Sequence, residues 1–262
     1  DAKSMLTVAE GGLNTILDML IEMKEKVIQG ANDSNGPQER KAIRTELKAL
    51  TREVQQTLDE TTFNGNNLFT DDPAGTDLTF QVNAEAGDTF DVNIDRLSSR
   101  SLTLTSSAAT SRIVGADLLL DDNLTAGDLA FGSAASAGLE AEFEVETTNV
   151  SLAANGNTYN VDFQVTTSAS TNGGTFTNTT TKSLALSAAA DTLRLVTGAS
   201  LGLTNDLTLT VGDLTSNIEQ GDRIYVSVDD IQLNARNAQI AEGALGVIDD
   251  AISGVFKAVS NL

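Results

Sequence analysis

"TTFNGNNLF", residues 61–69, stands between a stretch written at the period of a helix and one written at the period of a strand. Asn64, Gly65, Asn66 and Asn67 are of the residue types that best tolerate left-handed backbone, so they stop a helix and turn the chain. Phe63, Leu68 and Phe69 flank the turn and are predicted to fold back and seal the helix end onto a core. The stretch marks a helix-to-sheet boundary.

Upstream of it, Leu6, Ala9, Leu13, Ile16, Leu20, Met23 and Val27 recur at alternating spacings of 3 and 4, an unbroken apolar seam of the heptad a/d type. Asn32-Asp33-Ser34-Asn35-Gly36 breaks that helix, and Pro37, with Ser34 or Asn35 as cap, starts a second. Ile43, Leu47, Leu50, Val54 and Leu58 repeat the device up to the junction. At the far end Ala238, Ala241, Leu245, Ile248, Ile252, Val255, Val259 and Leu262 write a third seam. Apolar stripes need partners. The economical solution is a helical bundle in which both chain ends meet, with everything between them inserted as a long excursion. No cap closes either outer seam, so the chain is expected to be a fragment or processed form. The continuing apolar faces of its parent would then drive self-association.

Downstream the period changes to two. In "LTFQVNAEAGDTFDVNID" (78–95) Phe80 and Val82 alternate, the segment through Gly87 turns, and Phe90, Val92 and Ile94 alternate back, which predicts a hairpin. Beyond residue 105 short alternating runs recur: "EAEFEVET" (140–147), "TYNVDFQVTT" (158–167), "DLTLTV" (206–211) and "DRIYVSVDD" (222–230). Asn155-Gly156-Asn157 and Asn172-Gly173-Gly174 separate some of them. An antiparallel all-β module with one wet face follows. Asp121, Asp122, Asn123 and Asp128 sit close together, but their spacing lacks the alternating ligands, central Gly and closing Glu of a calcium loop, so they are read as an acidic turn. The N-x-[ST] triplets at Asn32, Asn123, Asn149 and Asn178 are what chance supplies in a chain rich in Ser and Thr.

Composition narrows the chemistry. The 262 residues include no Cys, His or Trp, which removes disulfides, thiolate and imidazole metal sites, and Ser-His-Asp or Cys-His catalysis together. Paired-carboxylate catalysis would want an aromatic-lined cleft, and aromatics are 4% of the chain. Phosphate-cradling glycine motifs are absent from the sequence. The reading is a non-enzyme with no cofactor and no metal. No apolar run reaches membrane-spanning length.

The net charge of −21 argues against nucleic acid and anionic membrane as partners. Its distribution is uneven. Residues 1–60 carry 8 Lys/Arg against 11 Asp/Glu, residues 231–262 carry 2 against 3, and residues 61–230 carry 6 against 23. Near-neutral ends fit surfaces that pack, and an acidic middle fits one that faces water. Acidity as a general trait of a salt-adapted proteome is compatible with this pattern and explains the total equally well.

The order of a helix, a break, a second helix, the FNG junction and then "FQVNAEAGDTFDVNID" resembles bacterial flagellin. Thr61, Phe63, Asn64, Gly65 and Leu68 match that family's "T-x-FNG-x-x-L" junction, and Phe80, Gln81, Val82, Ala84, Gly87, Thr89, Val92 and Ile94 match its hairpin. "VAEGGLNTI" (8–16) and "ALGVIDDAISGVF" (244–256) resemble its N- and C-terminal helical segments. The similarity covers residues 1–100 and 235–262. It implies a structural subunit of an extracellular filament that serves motility and is exported unfolded without a cleaved signal peptide. Its partners would be other copies of itself, an export chaperone and a filament cap. The helices would form the inner tube, the hairpin would adjust contacts along protofilaments, and the β module would project into water. The terminal helices that drive polymerisation in that family would be missing here.

Two departures stand out. Many family members carry "Q-R-V-R-E-L" in the first helix, recognised by a Toll-like innate receptor through its basic residue. Here the aligned stretch runs Ile21-Glu22-Met23-Lys24-Glu25-Lys26, with Glu22 in place of Arg and Lys26 in place of Leu, which argues against that recognition. The return path "DDIQLNARNAQIAEGAL" (229–245) also differs from the family pattern.

The expected fold is α+β: a heptad-patterned bundle formed by both chain ends plus the hairpin, with an inserted antiparallel all-β outer domain. The expected divisions are 1–104 for the helical core with hairpin, 105–230 for the outer domain and 231–262 for the C-terminal core helix. Two alternatives remain. A hook–filament junction protein shares the helical plan, though the FNG junction followed by the 80–94 hairpin favours flagellin. A surface adhesin or glycan-binding module would place the function in the β domain.

Overall fold

The computed structural model describes residues 2–32, 34–81, 89–116, 129–131, 140–154, 159–171, 174–186, 191–197, 207–211, 219–231, 233 and 238–261. It is α+β, with helices drawn from both chain ends and antiparallel sheets between them. The chain divides into two compact units, one of residues 1–32, 43–106 and 231–262, the other of residues 33–42 and 107–230.

The first unit is built on α1 (Ala2–Gly30), on α2 (Pro37–Glu60) from residue 43 onward, and on α3 (Ala238–Asn261). The buried side of α1 consists of Met5, Ala9, Leu13, Ile16, Met19, Leu20, Met23 and Val27, which is heptad spacing widened by two methionines. At its end the amide of Ala31 bonds the Val27 carbonyl and that of Asn32 the Gln29 carbonyl, tightening the last turn. Pro37 opens α2, where the missing N–H has no helical partner to lose, and Glu39 sits in the first turn near the positive end of the helix dipole. Ile43, Leu47, Leu50, Val54 and Leu58 form its buried side.

In the same unit β1 (Thr62–Phe63) and β2 (Asn66–Asn67) make a two-residue hairpin, and β3 (Thr76–Gln81) pairs antiparallel with β4 (Thr89–Ile94). Along β3, Thr76, Leu78 and Phe80 are half-buried while Asp77, Thr79 and Gln81 are exposed. Leu78 and Phe80 pack against the helical core, which also takes in Ile94, Leu97, Leu102 and Leu104.

The second unit holds two sheets. The larger has the order β5 (Thr105–Ala116), β12 (Arg223–Ile231), β7 (Glu140–Leu152), β8 (Tyr159–Thr171), β9 (Gly174–Leu186). The smaller has the order β10 (Asp191–Val196), β11 (Leu207–Val211), β6 (Leu129–Phe131). Strand β7 shows why this text folds as sheet: Ala141, Phe143, Val145 and Thr147 are buried, and the alternate Glu140, Glu142, Glu144 and Glu146 are half-exposed. Arg223 of β12 lies across from Glu146 and reaches both it (3.4 Å) and Glu144 (3.6 Å), offsetting part of that row of like charge. The predicted acidic turn at Asp121, Asp122, Asn123 and Asp128, and the turns at 155–157 and 172–173, lie outside the described residues.

Candidate functional site

The residues singled out by sequence fall on the helical unit, as a seam, a junction and a hairpin. The seam residues of α1 from Ala9 to Val27 and those of α2 are buried in one core, and Leu6 is half-buried against it. On α3 the innermost line is Ala241, Ala244, Ile248, Ala251, Val255 and Ala258. Leu245, Ile252 and Val259 flank that line, half-buried and packed on the core. The seam expected from sequence shares Ala241, Ile248 and Val255 with this line and takes Leu245, Ile252 and Val259 where the line has Ala244, Ala251 and Ala258. The fold instead turns the alanines inward, because small residues let the helix axis come close to its neighbours.

The junction is a tight hairpin on the end of α2. The Thr61 amide and hydroxyl both bond the Thr57 carbonyl, at 3.1 and 2.6 Å, and the Leu68 amide bonds the Thr61 carbonyl at 3.0 Å. Between the paired Phe63 and Asn66, Asn64 has φ 51° and Gly65 φ 82°, so both central residues are left-handed. That is the backbone of the type I′ turn, which matches the twist of its strands and favours Asn-Gly. Leu68 and Phe69 are buried in the helical core and Phe63 is half-buried against it. In the hairpin beyond, Phe80 pairs with Phe90, Leu78 with Val92 and Thr76 with Ile94. Val82 and Gly87 lie outside the described residues.

Several supporting residues carry no local signal in the sequence. Gly12, in the middle of α1, faces the junction so closely that a Cβ there would meet Thr61 Oγ1 at 2.8 Å and Cγ2 at 3.1 Å. Asp71 gathers Ser98 (2.6 Å), Arg96 (2.7 Å) and Arg100 (3.3 Å) around one carboxylate. The Ser98 hydrogen bond first, then Arg96, hold Asp71 below the usual carboxylate range. The Gln55 side-chain oxygen accepts from the Ser99 amide at 3.0 Å, tying that segment to α2. Arg44, buried on α2, donates to the carbonyls of Leu233 and, at 3.3 Å, Ile231, and so fixes the return path before α3.

The stretch aligned with the innate-receptor region is engaged within the bundle. Lys24 Nζ donates to Asp249 of α3 at 2.6 Å, and Lys26 pairs with Glu46 of α2 at 2.7 Å, a hydrogen bond that raises the Lys26 pKa. Glu22 is exposed. Ile21 and Ile28 lie one turn to either side of Lys24 and stand 46% and 54% exposed; on α3, Phe256 lies two turns beyond Asp249 and is 56% exposed. Together they place apolar surface around the Lys24–Asp249 pair. Among the described residues no group of three or more His, Cys, Asp or Glu could hold a metal ion, and no helix is long and apolar enough to cross a membrane.

Comparison with known proteins places this unit. Residues 1–73 match the family model of the bacterial flagellin N-terminal helical region. Flagellin of Salmonella muenchen is 32% identical over 104 residues, 40% of this chain and 20% of that protein. Polar flagellin A of Vibrio parahaemolyticus is 34% identical over 128 residues, 49% of this chain and 32% of that protein. The matches thus span a third or less of these relatives' own length. Among solved structures, FliC from Burkholderia pseudomallei aligns with 100% of this chain and 97% of its own at 18% identity and a TM-score of 0.46. FlgL of Xanthomonas campestris aligns with 98% of this chain and 85% of its own at 17% identity and a TM-score of 0.36.

Proposed function

We propose that this chain, whose residues 1–73 match the bacterial flagellin N-terminal helical region, is a structural subunit of the bacterial flagellar filament, serves motility and is located outside the cell. The observation that carries this reading is the helical core itself: α1, α2, the FNG junction and α3 share one apolar cluster, and the family match runs through its N-terminal part. The subunit assembles with other copies of itself. The apolar side chains exposed at Ile21, Ile28 and Phe256 support that, since surface of this kind is stabilised when a neighbour covers it.

In this reading residues 1–104 and 231–262 make the packed part of the filament and the acidic 105–230 domain faces water. The seam fixes the subunit's shape and the junction with the 76–94 hairpin sets the angle at which strand leaves helix. Export proceeds unfolded, with a chaperone before and a filament cap after passage. The reversed charge at Glu22 and the ion pairs that hold Lys24 and Lys26 argue against recognition by the Toll-like receptor.

Immunogold electron microscopy with antibody raised against the 262-residue chain tests the reading on flagella sheared from the source cells. Label along the whole filament is expected. Label confined to the hook end would transfer the chain to the junction, and label on the cell body alone would leave the adhesin reading in its place.

A further inference from the structure

The larger sheet of the β unit keeps its acidic residues off its two outermost strands. The inner strands β12, β7 and β8 carry Asp229 and Asp230, the alternate glutamates from Glu140 to Glu146, and Asp162. The outermost strands in the sheet order, β5 and β9, contain no Asp or Glu, although residues 107–230 hold 16 of them against 4 Lys/Arg. An edge strand offers a row of unpaired N–H and C=O groups, and folds blunt such edges with short length, proline, charge or a bulge. Strand β9 runs for 13 residues without proline. Its register with β8 is unbroken from Thr171↔Gly174 to Tyr159↔Leu186, whereas the register of β7 with β8 shifts between Thr147 and Asn149. Lys182 is its one charged residue. Thr175, Thr177, Thr179 and Thr181 share one face and are exposed, and threonine favours extended chain. Among the described residues no strand pairs with the outer side of β9.

The sequence of β9 selects its partner. Laid antiparallel on a second copy of itself with Thr180 opposite Thr180, the strand overlaps over all 13 residues. Phe176 then faces Leu184, Asn178 faces Lys182, Thr177 faces Ser183 and Thr179 faces Thr181. Phe176 and Leu184 lie opposite the buried Ala169 and Val161 of β8 but are themselves only half-buried, so a second strand would extend that apolar face. The two lysines stand four residues apart along the paired strands, roughly 14 Å, beyond the screening length of about 8 Å in physiological salt. Sliding the strands until Lys182 meets Lys182 opposes like charges and shortens the overlap. The glutamate rows of the two β7 strands fall five strand spacings apart, roughly 24 Å, so in such salt they add little repulsion. We propose that β9 is a two-fold contact through which the β units of two copies of this chain join edge to edge into one antiparallel sheet. It is separate from any packing through the helical ends.

Oxidative cross-linking and sedimentation equilibrium of the 262-residue chain test the contact. The chain has no Cys, so a single introduced cysteine reports only on its own position. Thr180→Cys should give a disulfide-linked dimer, since directly opposed Cα atoms lie about 4.5–5.5 Å apart, within disulfide reach. Asn178→Cys should not, because its two copies would stand roughly 14 Å apart. The unsubstituted chain should show a concentration-dependent dimer. Thr179→Glu with Thr181→Glu sets acid against acid across the contact and should weaken the dimer at least about tenfold. Thr179→Lys with Thr181→Glu sets cation against acid and should retain it. Lowering the salt to about 10 mM stretches screening to about 30 Å, far enough for the two glutamate rows to repel, and should weaken the dimer as well. Cross-linking of Asn178→Cys as readily as Thr180→Cys, or of neither, would overturn the proposal. So would a dimer that ignores the double glutamate, one that fails to weaken at low salt, or no dimer at any soluble concentration.

Discussion

Adjacent glycines at the centre of α1 give opposite predictions for the same substitution. A glycine in a helix interior costs about 1 kcal/mol relative to alanine, through backbone entropy. Gly11 has nothing within 4 Å of where a Cβ would stand, so Gly11→Ala should recover most of that amount. At Gly12 the added carbon would lie 2.8 Å from Thr61 Oγ1 and 3.1 Å from Thr61 Cγ2, with Phe69 Cε2 at 3.5 Å behind them. Thr61 cannot yield easily. Its hydroxyl and amide both hold the Thr57 carbonyl and its own carbonyl holds the Leu68 amide, so moving it disturbs three hydrogen bonds at once. Overpacking of this kind costs about 1–3 kcal/mol, which exceeds the helical gain. Gly12→Ala should therefore lie about 1–3 kcal/mol below Gly11→Ala in stability, read as a difference in urea midpoint at constant slope by helical circular dichroism. Thr61→Ala removes both clashing atoms, and in its background Gly12→Ala should lose most of its penalty, a coupling of about 1 kcal/mol or more. Equal stabilisation by the two glycine substitutions would refute the close approach of α1 to the junction.

Gly65→Val should cost about 1–2 kcal/mol through its left-handed φ alone, since nothing lies within 4 Å of the new side chain. Gly65→Asn should restore most of the loss in the same urea titration, and equal loss from both would show that φ is not the cause. Ile248→Ala should cost about 2–5 kcal/mol as a fully buried deletion and Leu245→Ala on the flank clearly less; the reverse order would return the seam to the bulkier line. Asp71 is held below its ordinary value of 3.8, chiefly by Ser98 and then Arg96. Its contribution is therefore present above that value and lost as pH falls through the lower folded-state pKa. Asp71→Asn should flatten the stability profile over that acid window relative to the parent chain, and an unchanged acid limb would show that Asp71 contributes nothing to it.

Periodicity carried most of the fold into the sequence. Heptads on α1 and α2 and alternation on β7 repeat one burial rule many times, so a single odd residue does not hide the pattern. The Asn64-Gly65 pair was legible for a different reason: few other residue types adopt two successive left-handed conformations. Legibility failed where a position is decided by something distant in sequence. Gly12 is small because of Thr61, Arg44 is buried because carbonyls at Ile231 and Leu233 receive it, and Asp71 matters because Arg96 and Ser98 come to it. On α3 the expected seam included Ala241, Ile248 and Val255 of the innermost line but not Ala244, Ala251 and Ala258, because hydrophobicity ranks leucine above alanine while close packing of helices ranks them the other way.

The alanine line on α3 bears on assembly as well as on packing. With Ala241, Ala244, Ala251 and Ala258 innermost, the larger Leu245, Ile252 and Val259 are left half-buried on the flanks. Apolar surface is therefore left partly uncovered on the α3 flank, and Phe256 on α3 and Ile21 and Ile28 on α1 are exposed as well. A bundle with its leucines inward would bury more of its own surface and leave less for a neighbour. Charge points the same way. Like charges on meeting surfaces repel within a screening length of about 8 Å in physiological salt, and residues 231–262 carry only 2 Lys/Arg against 3 Asp/Glu while 61–230 carry 6 against 23. Among the described residues, Val8, Ile21, Ile28 and Phe256 are the large apolar side chains left exposed on α1 and α3, near the nearly neutral chain ends, and Leu152 is the one left exposed in the acidic β unit. Four of these five exposed apolar side chains thus lie where charge is low, and this distribution supports the proposed reading of a subunit that packs through its helical ends.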